Sequence, residues 1–345
     1  MNFSTTRVSS SELNEDSYVS TENMLQDFQG IVEAKSVPEE VNVISFSCGD
    51  ILISNIRPYL KKVWRATFNG GCSSDVFVLQ ANDNIESDYL HYVVANDKFI
   101  NFVMSGAKGV KMPRGDKSQM KTYSLSLPQL QEQHKIARLL SLLDERIATQ
   151  NKIIEDLKKL KSAISKKLLY NDKWTTYKIQ DIAEIGRGRV ISSVEIDRQR
   201  HSLYPVYSSQ TSNDGIMGYL DNYMFNGEYI TWTTDGANAG TVFYRKGKFN
   251  CTNVCGTLKI QPKFDCYFVS LVLQQATQKY VSSNLANPKL MNNTMASIKI
   301  SMPNIEMQKQ LSKVFQALDS CLLAHQRTCT MYLSEKQYLL HQMFT

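Results

Sequence analysis

Basic and aromatic side chains lie close together in two segments between residues 56 and 117. One segment of ten residues holds two glycines and four cations, with Asp116 as its one acid; the cations are Lys108, Lys111, Arg114 and Lys117. A flexible loop of this kind can follow a phosphate backbone, although an ordinary solvated loop has the same composition. The other segment interleaves cations with aromatic rings; its candidates are Arg57, Tyr59, Lys61, Lys62 and Arg65. Arginine suits phosphates and guanine edges, and tyrosine packs on sugars or bases.

The second half of the chain offers polar loops instead of a run of cations. Residues 207–213 are rich in hydrogen-bonding side chains, and the candidates among them are Ser209, Gln210 and Asn213. Gln210 or Asn213 could read adenine in the major groove of DNA. Residues 231–241 form another polar segment punctuated by glycine, with Thr234 and Asn238 as candidates. The further candidate DNA contacts are Arg187, Arg189 and Lys289. For these segments a turn-rich surface loop without a ligand is the alternative.

The residue types that would make the chain an enzyme are missing or out of place. An amino-methyltransferase needs an Asn/Asp-Pro-Pro-aromatic motif, whereas the segment 287–289 (Asn-Pro-Lys) lacks the second proline and the aromatic residue. The glycines of 186–189 lack the strand–loop–helix frame of a cofactor loop. The histidines have no metal-ligand spacing, and the carboxylates around residues 184–197 fit a solvated surface better than a nuclease site. We therefore expect no catalytic site, no metal and no cofactor in this chain.

Size and composition bound the remaining possibilities. With 345 residues the chain is long enough for two domains with separate cores. Because it lacks a run of about 18 apolar residues, no membrane span is expected. Seven cysteines without a CxxC pair disfavour a disulfide framework and favour a reducing cytoplasm. The net charge of +6 permits nucleic-acid binding without establishing it, so the location of the charge matters more than its sum.

The chain repeats itself at an offset of 175 residues. Two segments with similar openings, 127–133 and 302–308, each begin a long stretch of periodic apolar residues. The offset relates the two stretches without a gap; corresponding pairs are Pro128 and Pro303, Gln133 and Gln308, Asp144 and Asp319, and Leu168 and Met343. In the segments before each stretch the offset drifts between 175 and 181, so loop lengths differ there. A duplicated chain predicts two similar lobes, which suit a target with two similar halves, such as DNA.

Both apolar stretches are predicted to be long helices. Neither contains proline or glycine, and about 40 residues span roughly 60 Å at 1.5 Å per residue. A helix of this length cannot bury its stripe on a small core, so the two helices are expected to pack as an antiparallel coiled coil. Gln150 interrupts the first stripe near its midpoint and corresponds to His325, so the two side chains could hydrogen-bond and fix the helix register. The alternative is that both lie on the flank of the stripe, in water.

The sequence thus predicts an α+β fold in which two α/β lobes are separated and followed by the two long helices. The predicted boundaries are 1–127 for the first lobe, 128–172 for the first helix, 173–302 for the second lobe and 303–345 for the second helix. Within the lobes, alternating residues predict strands at 124–127 and 297–300. Apolar spacing predicts one helix over 88–103.

Several strings resemble those of a known family. Residues 49–59, Gly-Asp-Ile-Leu-Ile-Ser-Asn-Ile-Arg-Pro-Tyr, and residues 18–25 are typical of one type of target-recognition domain. Leu127-Pro128 through Gln133, followed by Leu142-Leu143-Asp144, resembles the repeated helix start of that family, and Trp174 with Ile182-Ala183 resembles the opening of its second recognition domain. With the order lobe, helix, lobe, helix, nearly the whole chain resembles the specificity subunit of type I restriction–modification systems, the HsdS family.

The resemblance implies a subunit that is not catalytic. Each lobe would read one half of a bipartite, asymmetric site in double-stranded DNA. The helices would serve as the spacer and as the docking platform for two modification methyltransferase subunits, which would bind S-adenosylmethionine, and restriction subunits with translocase and nuclease activity would join them. A helix of roughly 60 Å equals about 18 base pairs, an upper limit on the separation of the half-sites. The rival hypothesis is a duplicated protein–protein interaction scaffold without DNA specificity.

Overall fold

The computed structural model describes residues 2–199, 203–282 and 287–344, and these form two compact units. Unit 1 comprises Met1–Lys152 and Gln326–Thr345, and unit 2 comprises Ile153–His325. The first long helix is Leu130–Leu168 and the second long helix is Ile305–Met343. Each of them contributes one part to each unit. The predicted fold class, two α/β lobes with two long helices, is confirmed. No helix of the described ranges is long and apolar enough to cross a membrane.

Unit 1 contains two four-stranded sheets. Their strands are β1 (Asn2–Phe3), β2 (Arg7–Ser9), β3 (Tyr18–Val19), β4 (Asn42–Phe46), β5 (Ile51–Ser54), β6 (Val63–Arg65), β7 (Gly70–Cys72) and β8 (Val76–Gln80). One sheet has the order β1-β8-β5-β6 and the other has the order β2-β4-β7-β3. The pair β3 and β7 is parallel and the other pairs are antiparallel. Every residue of β5 is buried, as its run Ile-Leu-Ile-Ser leads one to expect for an inner strand.

Short helices pack on the sheets of unit 1 and differ from the prediction in one respect. Their bounds are Ser87–Val94, Asp97–Ser105 and Lys117–Lys121, with short 3-10 helices at Ser10–Glu12 and Pro58–Leu60. The single helix predicted over 88–103 is wrong, because the helical spacing continues across a break at residues 95–96. Asn96 has an extended backbone there, and its side chain accepts a hydrogen bond from the Lys98 N–H at 2.8 Å, which starts the second helix.

Unit 2 contains a six-stranded sheet and a two-stranded sheet. Its strands are β9 (Thr175–Lys178), β10 (Ala183–Arg187), β11 (Tyr204–Tyr207), β12 (Ile216–Leu220), β13 (Phe225–Thr233), β14 (Val242–Cys251), β15 (Cys255–Ile260) and β16 (Lys299–Met302). The large sheet has the order β10-β15-β13-β14-β11-β12, and β16 pairs with β9. The helices are Ile179–Ile182, Ser193–Asp197, Cys266–Ala276 and Asn292–Ser297, with 3-10 helices at Ser212–Gly215 and Thr277–Tyr280.

The two units share a strand arrangement. The pair β11 and β14 of unit 2 is parallel, like β3 and β7 of unit 1. In unit 1 the Ser73 N–H donates to the Val19 carbonyl at 2.9 Å, and in unit 2 the Thr252 N–H donates to the Tyr207 carbonyl at 2.9 Å. The strand predicted at 124–127 is nevertheless wrong. The segment before the second long helix forms β16 because β9 pairs with it, whereas 124–127 has no partner strand in the described part of the chain.

Equivalent glutamines join each long helix to its lobe. Gln133 is 1 % exposed; its Nε2 donates to the Pro128 carbonyl at 2.9 Å and its Oε1 accepts from the Glu86 N–H at 2.9 Å. In unit 2 the buried Gln308 does the same, with the Pro303 carbonyl at 2.8 Å and the Asp265 N–H at 3.0 Å. One side-chain amide thus hydrogen-bonds a backbone carbonyl just before the long helix and a backbone N–H at the start of a lobe helix, which links the two helices.

Within each unit, the two long helices run antiparallel and are joined by an ion pair. In unit 1 the Lys336 Nζ lies 2.5 Å from the Asp144 Oδ1, and the Cys329 Sγ lies 3.4 Å from the Asn151 Oδ1. In unit 2 Lys161 pairs with Asp319. An offset of 175 relates Asp144 to Asp319 and Lys161 to Lys336, so the same pair occurs twice with its partners exchanged between the helices.

Candidate nucleic-acid interface

In unit 1 the chain leaving the central strand β5 pairs with the loop that carries the four predicted cations. The Arg57 N–H donates to the Pro113 carbonyl at 2.7 Å, and the Gly115 N–H donates to the Asn55 carbonyl at 3.0 Å. An antiparallel bridge joins residues 56 and 114 between them. We call these two segments, 55–57 and 113–115, the loop pair of unit 1. It brings the two basic segments of the sequence together.

Unit 2 contains a loop pair with the same hydrogen bonds. Here the segments are 234–236, which follows β13, and 288–290. The Gly236 N–H donates to the Pro288 carbonyl at 3.0 Å, and the Leu290 N–H donates to the Thr234 carbonyl at 2.9 Å. Lys289 forms the bridge with residue 235, as Arg114 does with residue 56. The backbone frame is therefore duplicated, whereas Arg57 is replaced by glycine and Arg114 by lysine.

The tip of the unit 1 loop pair presents Arg57 and Tyr59. Arg57 has φ 50° and ψ 61°, a left-handed conformation that is uncommon outside glycine, and it precedes the 3-10 helix Pro58–Leu60. The Arg57 side chain is exposed, and among the described residues no ion pair or side-chain hydrogen bond involves it. Tyr59 is 48 % exposed. A cation and a ring are thus available to a ligand at this tip.

Three other predicted contacts of unit 1 are held by the protein itself. The Lys61 Nζ lies 2.7 Å from the Asp97 carboxylate, and the Arg65 Nε lies 2.5 Å from the Asp88 carboxylate. The Lys62 Nζ donates to the Thr21 carbonyl at 2.6 Å. These cations stabilise the surroundings of the loop pair, so they are less available to a ligand than Arg57.

In the basic loop, too, some cations have partners within the protein and others do not. The Lys108 ammonium lies 2.9 Å from the Asp116 carboxylate, and this hydrogen bond lowers the pKa of Asp116. The Arg114 guanidinium lies 3.3 Å from the Asp75 carboxylate, and the Lys117 ammonium lies 4.8 Å from the centre of the Phe3 ring. Lys111 is exposed and has no ion pair within the described ranges. Among the predicted contacts of unit 1, Lys111 and Arg57 are therefore the cations with the greatest freedom to meet an anion.

In unit 2 the cations converge on a carboxylate that sequence reasoning missed. The Arg187 Nη2 lies 4.0 Å from the Asp235 Oδ2, and the Lys289 Nζ lies 3.7 Å from the Asp235 Oδ1. Two positive charges against one negative charge leave an excess of one, at a cluster that is partly exposed. Asp235 gave no signal in the sequence, because its role depends on two cations that lie 48 and 54 residues away.

Thr234 is buried, contrary to the exposed position predicted for it from the sequence. Its side chain is 0 % exposed, and its hydroxyl lies 2.9 Å from the Asp235 Oδ2 and 3.0 Å from the Val254 carbonyl. The polar composition of the segment suggested a surface residue, but the hydroxyl is buried where β13 ends, and its one hydrogen can be donated to either of these two acceptors. Thr234 thus positions Asp235 and is not accessible to DNA in this structure.

The remaining polar candidates of unit 2 lie around residues 207–215. The Gln210 Nε2 donates to the Ile216 carbonyl, and the Asn238 Nδ2 donates to the Ser209 carbonyl at 3.1 Å, which ties two predicted loops together. Asn213 is exposed, with φ 48°, and its Nδ2 lies 3.5 Å from the Ile216 carbonyl. The Gln210 and Asn213 oxygens therefore remain the groups with which this loop could accept a hydrogen bond from a base.

Arg189 and the predicted helix-register pair complete the placements. Arg189 is held by Glu195, whose Oε2 accepts a hydrogen bond from the Arg189 Nη1 at 2.9 Å. This pair lowers the pKa of Glu195 and turns the guanidinium towards the protein. Gln150 lies in unit 1 and His325 lies in unit 2. Their mutual hydrogen bond stays a prediction.

Similarity to known proteins agrees with this duplicated arrangement. A family model for the type I restriction modification DNA specificity domain matches residues 7–159 and 171–328. A Mycoplasma pneumoniae protein named as a type I specificity subunit is 38 % identical over 205 residues, which cover 56 % of this chain and 82 % of that protein. The specificity subunit of the MpnII type I restriction enzyme from the same organism is 42 % identical over 150 residues, or 43 % of this chain and 45 % of that subunit.

A solved structure has the same fold. The S subunit of a type I restriction–modification system from M. genitalium superposes with a TM-score of 0.69 at 18 % identity, covering 100 % of this chain and 96 % of that one. The two matches of the family model together span most of the sequence and fall on the two halves of the repeat. The chain belongs to the family of type I restriction–modification DNA specificity proteins.

Proposed function

We propose that the chain is the sequence-specificity subunit of a type I restriction–modification complex and that each lobe reads one half of a bipartite, asymmetric DNA site. The observation that carries this proposal is the duplicated loop pair. Its backbone hydrogen bonds are the same in both units, so both lobes would approach a duplex in the same manner. Its side chains differ: Arg57 of unit 1 corresponds to Gly236 of unit 2, and Arg114 corresponds to Lys289. The bases read by the two lobes would therefore differ.

The chemistry available at the two loop pairs fits a duplex. The exposed cations Arg57 and Lys111 can neutralise phosphates or, in the case of Arg57, bind a guanine edge in bidentate fashion. In unit 2 the excess positive charge around Asp235 adjoins the loop that carries Gln210 and Asn213, whose amides suit adenine. Phosphate contacts would set the position of each lobe, and these few side chains would supply the sequence preference.

The long helices are proposed to hold the lobes at a fixed spacing and to bind two modification methyltransferase subunits. Their outward faces carry exposed apolar side chains: Leu139, Leu142 and Tyr338 in unit 1, and Val314 and Leu323 in unit 2. Leu139 and Val314 correspond at the offset of 175, so one binding mode could be used twice. S-adenosylmethionine would be bound by those subunits, and cleavage would belong to restriction subunits that join them.

Co-expression with the cognate methyltransferase subunit tests the proposal. The chromosomal DNA of a host that lacks other modification systems is sequenced by a method that detects methylated bases. We expect methylation confined to a motif of two short sequences separated by a spacer of constant length. Methylation without such a motif, or a motif that does not change when this chain is replaced by another specificity subunit, would contradict the proposal and favour the scaffold hypothesis.

The absence of catalysis in the chain alone is tested separately. The purified chain is incubated with DNA and labelled S-adenosylmethionine, and with DNA and ATP. We expect no methyl transfer and no cleavage until the methyltransferase and restriction subunits are added. Methyl transfer by the chain alone, retained through further purification, would make it an enzyme.

A further inference from the structure

Arg245 is a buried cation that the loop pairs do not use. It lies on β14, its side chain is 3 % exposed, and it has three polar partners. The Arg245 Nη1 lies 2.6 Å from the Asp214 carboxylate, the Nη2 donates to the Asp214 carbonyl at 2.8 Å, and the Nε donates to the Thr231 hydroxyl at 3.3 Å. A buried arginine that donates hydrogen bonds from two nitrogens to one residue of a surface turn fixes that turn against the sheet.

Aromatic rings and backbone hold the same guanidinium in place. Its carbon lies 3.6 Å from the centre of the Tyr207 ring and 4.4 Å from that of Phe243. Burial raises the pKa of Tyr207, so that ring stays neutral beside the cation. A Cβ added at Gly215 would meet the Arg245 Nη2 at 3.2 Å. The arginine is thus enclosed by the loop that it contacts.

The turn held by Arg245 is one that the chain would not adopt by local preference. Asn213 has φ 48° and Asp214 has φ 52°, two successive left-handed residues that are not glycine. Such conformations persist where the surrounding structure imposes them, and they concentrate at functional sites. The hydrogen bonds from the Arg245 Nη1 and Nη2 both end on Asp214, the second of these residues, and Asn213 precedes it directly with its side chain exposed.

We propose that Arg245 is a positioning residue for recognition by the second lobe: it holds residues 207–215 in the conformation that presents Asn213 and Gln210 to the bases of one half-site. This inference rests on the proposed function. It predicts an effect on one half-site, because unit 1 has the buried Ala66 where unit 2 has Arg245. The Ala66 N–H donates to the Asp50 carbonyl. The offset of 179 that relates Asn55 to Thr234 makes Asp50 the equivalent of Tyr229, which pairs with Arg245. The first lobe therefore has no equivalent anchor at that position.

The main variant is Arg245→Met, which keeps an unbranched apolar side chain on β14 and removes the donors. Two measurements are made on the full chain: amide hydrogen exchange of residues 208–216, and the methylated motif after co-expression with the methyltransferase subunit. We expect exchange in that loop to rise by about tenfold, as the loss of a hydrogen bond to a charged group allows. The second half-site should lose discrimination at one or more bases, and the first should be unchanged.

Matched variants separate positioning from general damage. Lys246→Met alters the next residue of the same strand, whose exposed ammonium pairs with Glu228 at 3.1 Å, and it should change neither the exchange nor the motif. Arg245→Lys retains the charge but not the fork of donors, so it should restore the motif only in part. Asp214→Asn removes the negative charge of one partner but leaves an acceptor oxygen, and the Asp214 side chain is 67 % exposed, so this variant should act in the same direction with a smaller effect.

The outcomes are distinct. A folded Arg245→Met chain with unchanged loop exchange and an unchanged motif overturns the inference, and so does relaxation of both half-sites to the same extent. If Arg245→Met does not fold, Asp214→Asn decides, and an unaltered motif and loop exchange in that variant overturn the inference. If the wild-type chain directs no bipartite motif, the proposed function fails and the recognition role of Arg245 falls with it, whereas the exchange measurement still decides whether Arg245 holds the loop.

Discussion

Two basic residues with similar backbone conformations flank the 3-10 helix of unit 1 and have different surroundings. Arg57 and Lys61 have φ values of 50° and 54°. The Lys61 ammonium pairs with Asp97, whereas the exposed Arg57 side chain has no ion pair among the described residues. The left-handed conformation costs folding free energy on the order of 1 kcal/mol, and such conformations concentrate at functional sites. The exposed guanidinium of Arg57 is consistent with a binding role.

Arg57→Ala should therefore relax the half-site that the first lobe is proposed to read and leave the other intact. A lost bidentate contact to a base costs about 1–3 kcal/mol of discrimination, whereas an exposed substitution changes folding stability by less than about 0.5 kcal/mol. The methylated motif and the melting temperature are the measurements. Lys61→Ala is the matched control and should change the motif less, since Asp97 already occupies that ammonium. Relaxation of the second half-site instead would show that the lobes have been assigned to the wrong half-sites.

His91 makes the stability of unit 1 sensitive to acid. Burial, followed by the nearby Lys336, lowers its pKa to about 4; Asp144, Arg65 and Asp88 also face it with smaller effects. The unfolded chain takes up this proton near pH 6.5, so the unfolded state binds more protons than the folded state between pH 6.5 and about 4. Stability contributed by neutral His91 is therefore lost as the pH falls through this window.

The expected loss is about 1.4 kcal/mol per pH unit, or about 2 kcal/mol at pH 5. Pulse proteolysis in urea at pH 7 and pH 5 would measure it, with fragments of the two units followed separately. His91→Gln removes the titrating group and should reduce the difference between the two pH values in unit 1. An unchanged pH dependence in that variant would mean that His91 takes up its proton in the folded state as readily as in the unfolded state.

At the scale of the elements, one cluster attaches each lobe to the helix pair. In unit 1 the Tyr92 hydroxyl donates to the Asp144 Oδ2 at 2.9 Å, and Lys336 contacts the other oxygen. In unit 2 the Tyr267 hydroxyl donates to the Asp319 Oδ2 at 2.5 Å, and Lys161 takes the place of Lys336. Burial first, and then the neighbouring carboxylate, raises the pKa of both tyrosines, so both remain donors at neutral pH.

Asp144→Asn should destabilise unit 1 by about 1–2 kcal/mol, because it leaves a partly buried lysine without its anion while solvent screens part of the loss. The Lys336 side chain is 20 % exposed and that of Asp144 is 38 % exposed, which is why the full cost of a buried pair does not apply. Urea unfolding measures the effect. Glu145→Gln is the control: its pair with Arg138 is exposed on both sides at 3.5 Å, and its loss should cost less than about 0.5 kcal/mol. Equal losses of stability in the two variants would show that the cluster around Asp144 does not stabilise unit 1 more than an exposed ion pair does.

Elements whose signal is local could be predicted from the sequence, whereas the anchors of the loops could not. The long helices follow from uninterrupted apolar periodicity, and the offset of 175 identifies Gln133 and Gln308 as equivalent. The polar composition near residue 210 indicates a loop but cannot show that Arg245, 31 residues beyond Asp214, determines its shape. Thr234 shows the same limit, since a small polar residue at a strand end can satisfy buried groups as well as face water.

At the scale of the whole molecule, the repeat offset has one value where the loop pair begins and another where it closes. Asn55 and Thr234 make equivalent hydrogen bonds at an offset of 179, whereas Pro113 and Pro288 do so at 175, the offset of the helices. Length differences that arise within the sheets are thus compensated before the loop pair closes. The segments within the lobes differ in length while the helix pair and the loop pair keep their register, and this arrangement fits the proposed spacer with one DNA-reading lobe in each unit.

Lengthening the helices should therefore change the DNA spacer and nothing else, provided that both helices are lengthened together. Four alanines after Ser162 in the first helix alone would leave Lys161 beside Asp319 but shift the residues that follow against the second helix, so part of unit 2 would lose its register. Matched insertions of four alanines after Lys152 and after His325, at the division between the units, preserve the ion pairs of both. They add about 6 Å, or about two base pairs, to the proposed spacer. Methylation sequencing should show both half-sites unchanged and the spacer longer by that amount, whereas the single insertion should weaken methylation. An unchanged spacer with intact methylation in the doubly extended chain would exclude the helices as the ruler.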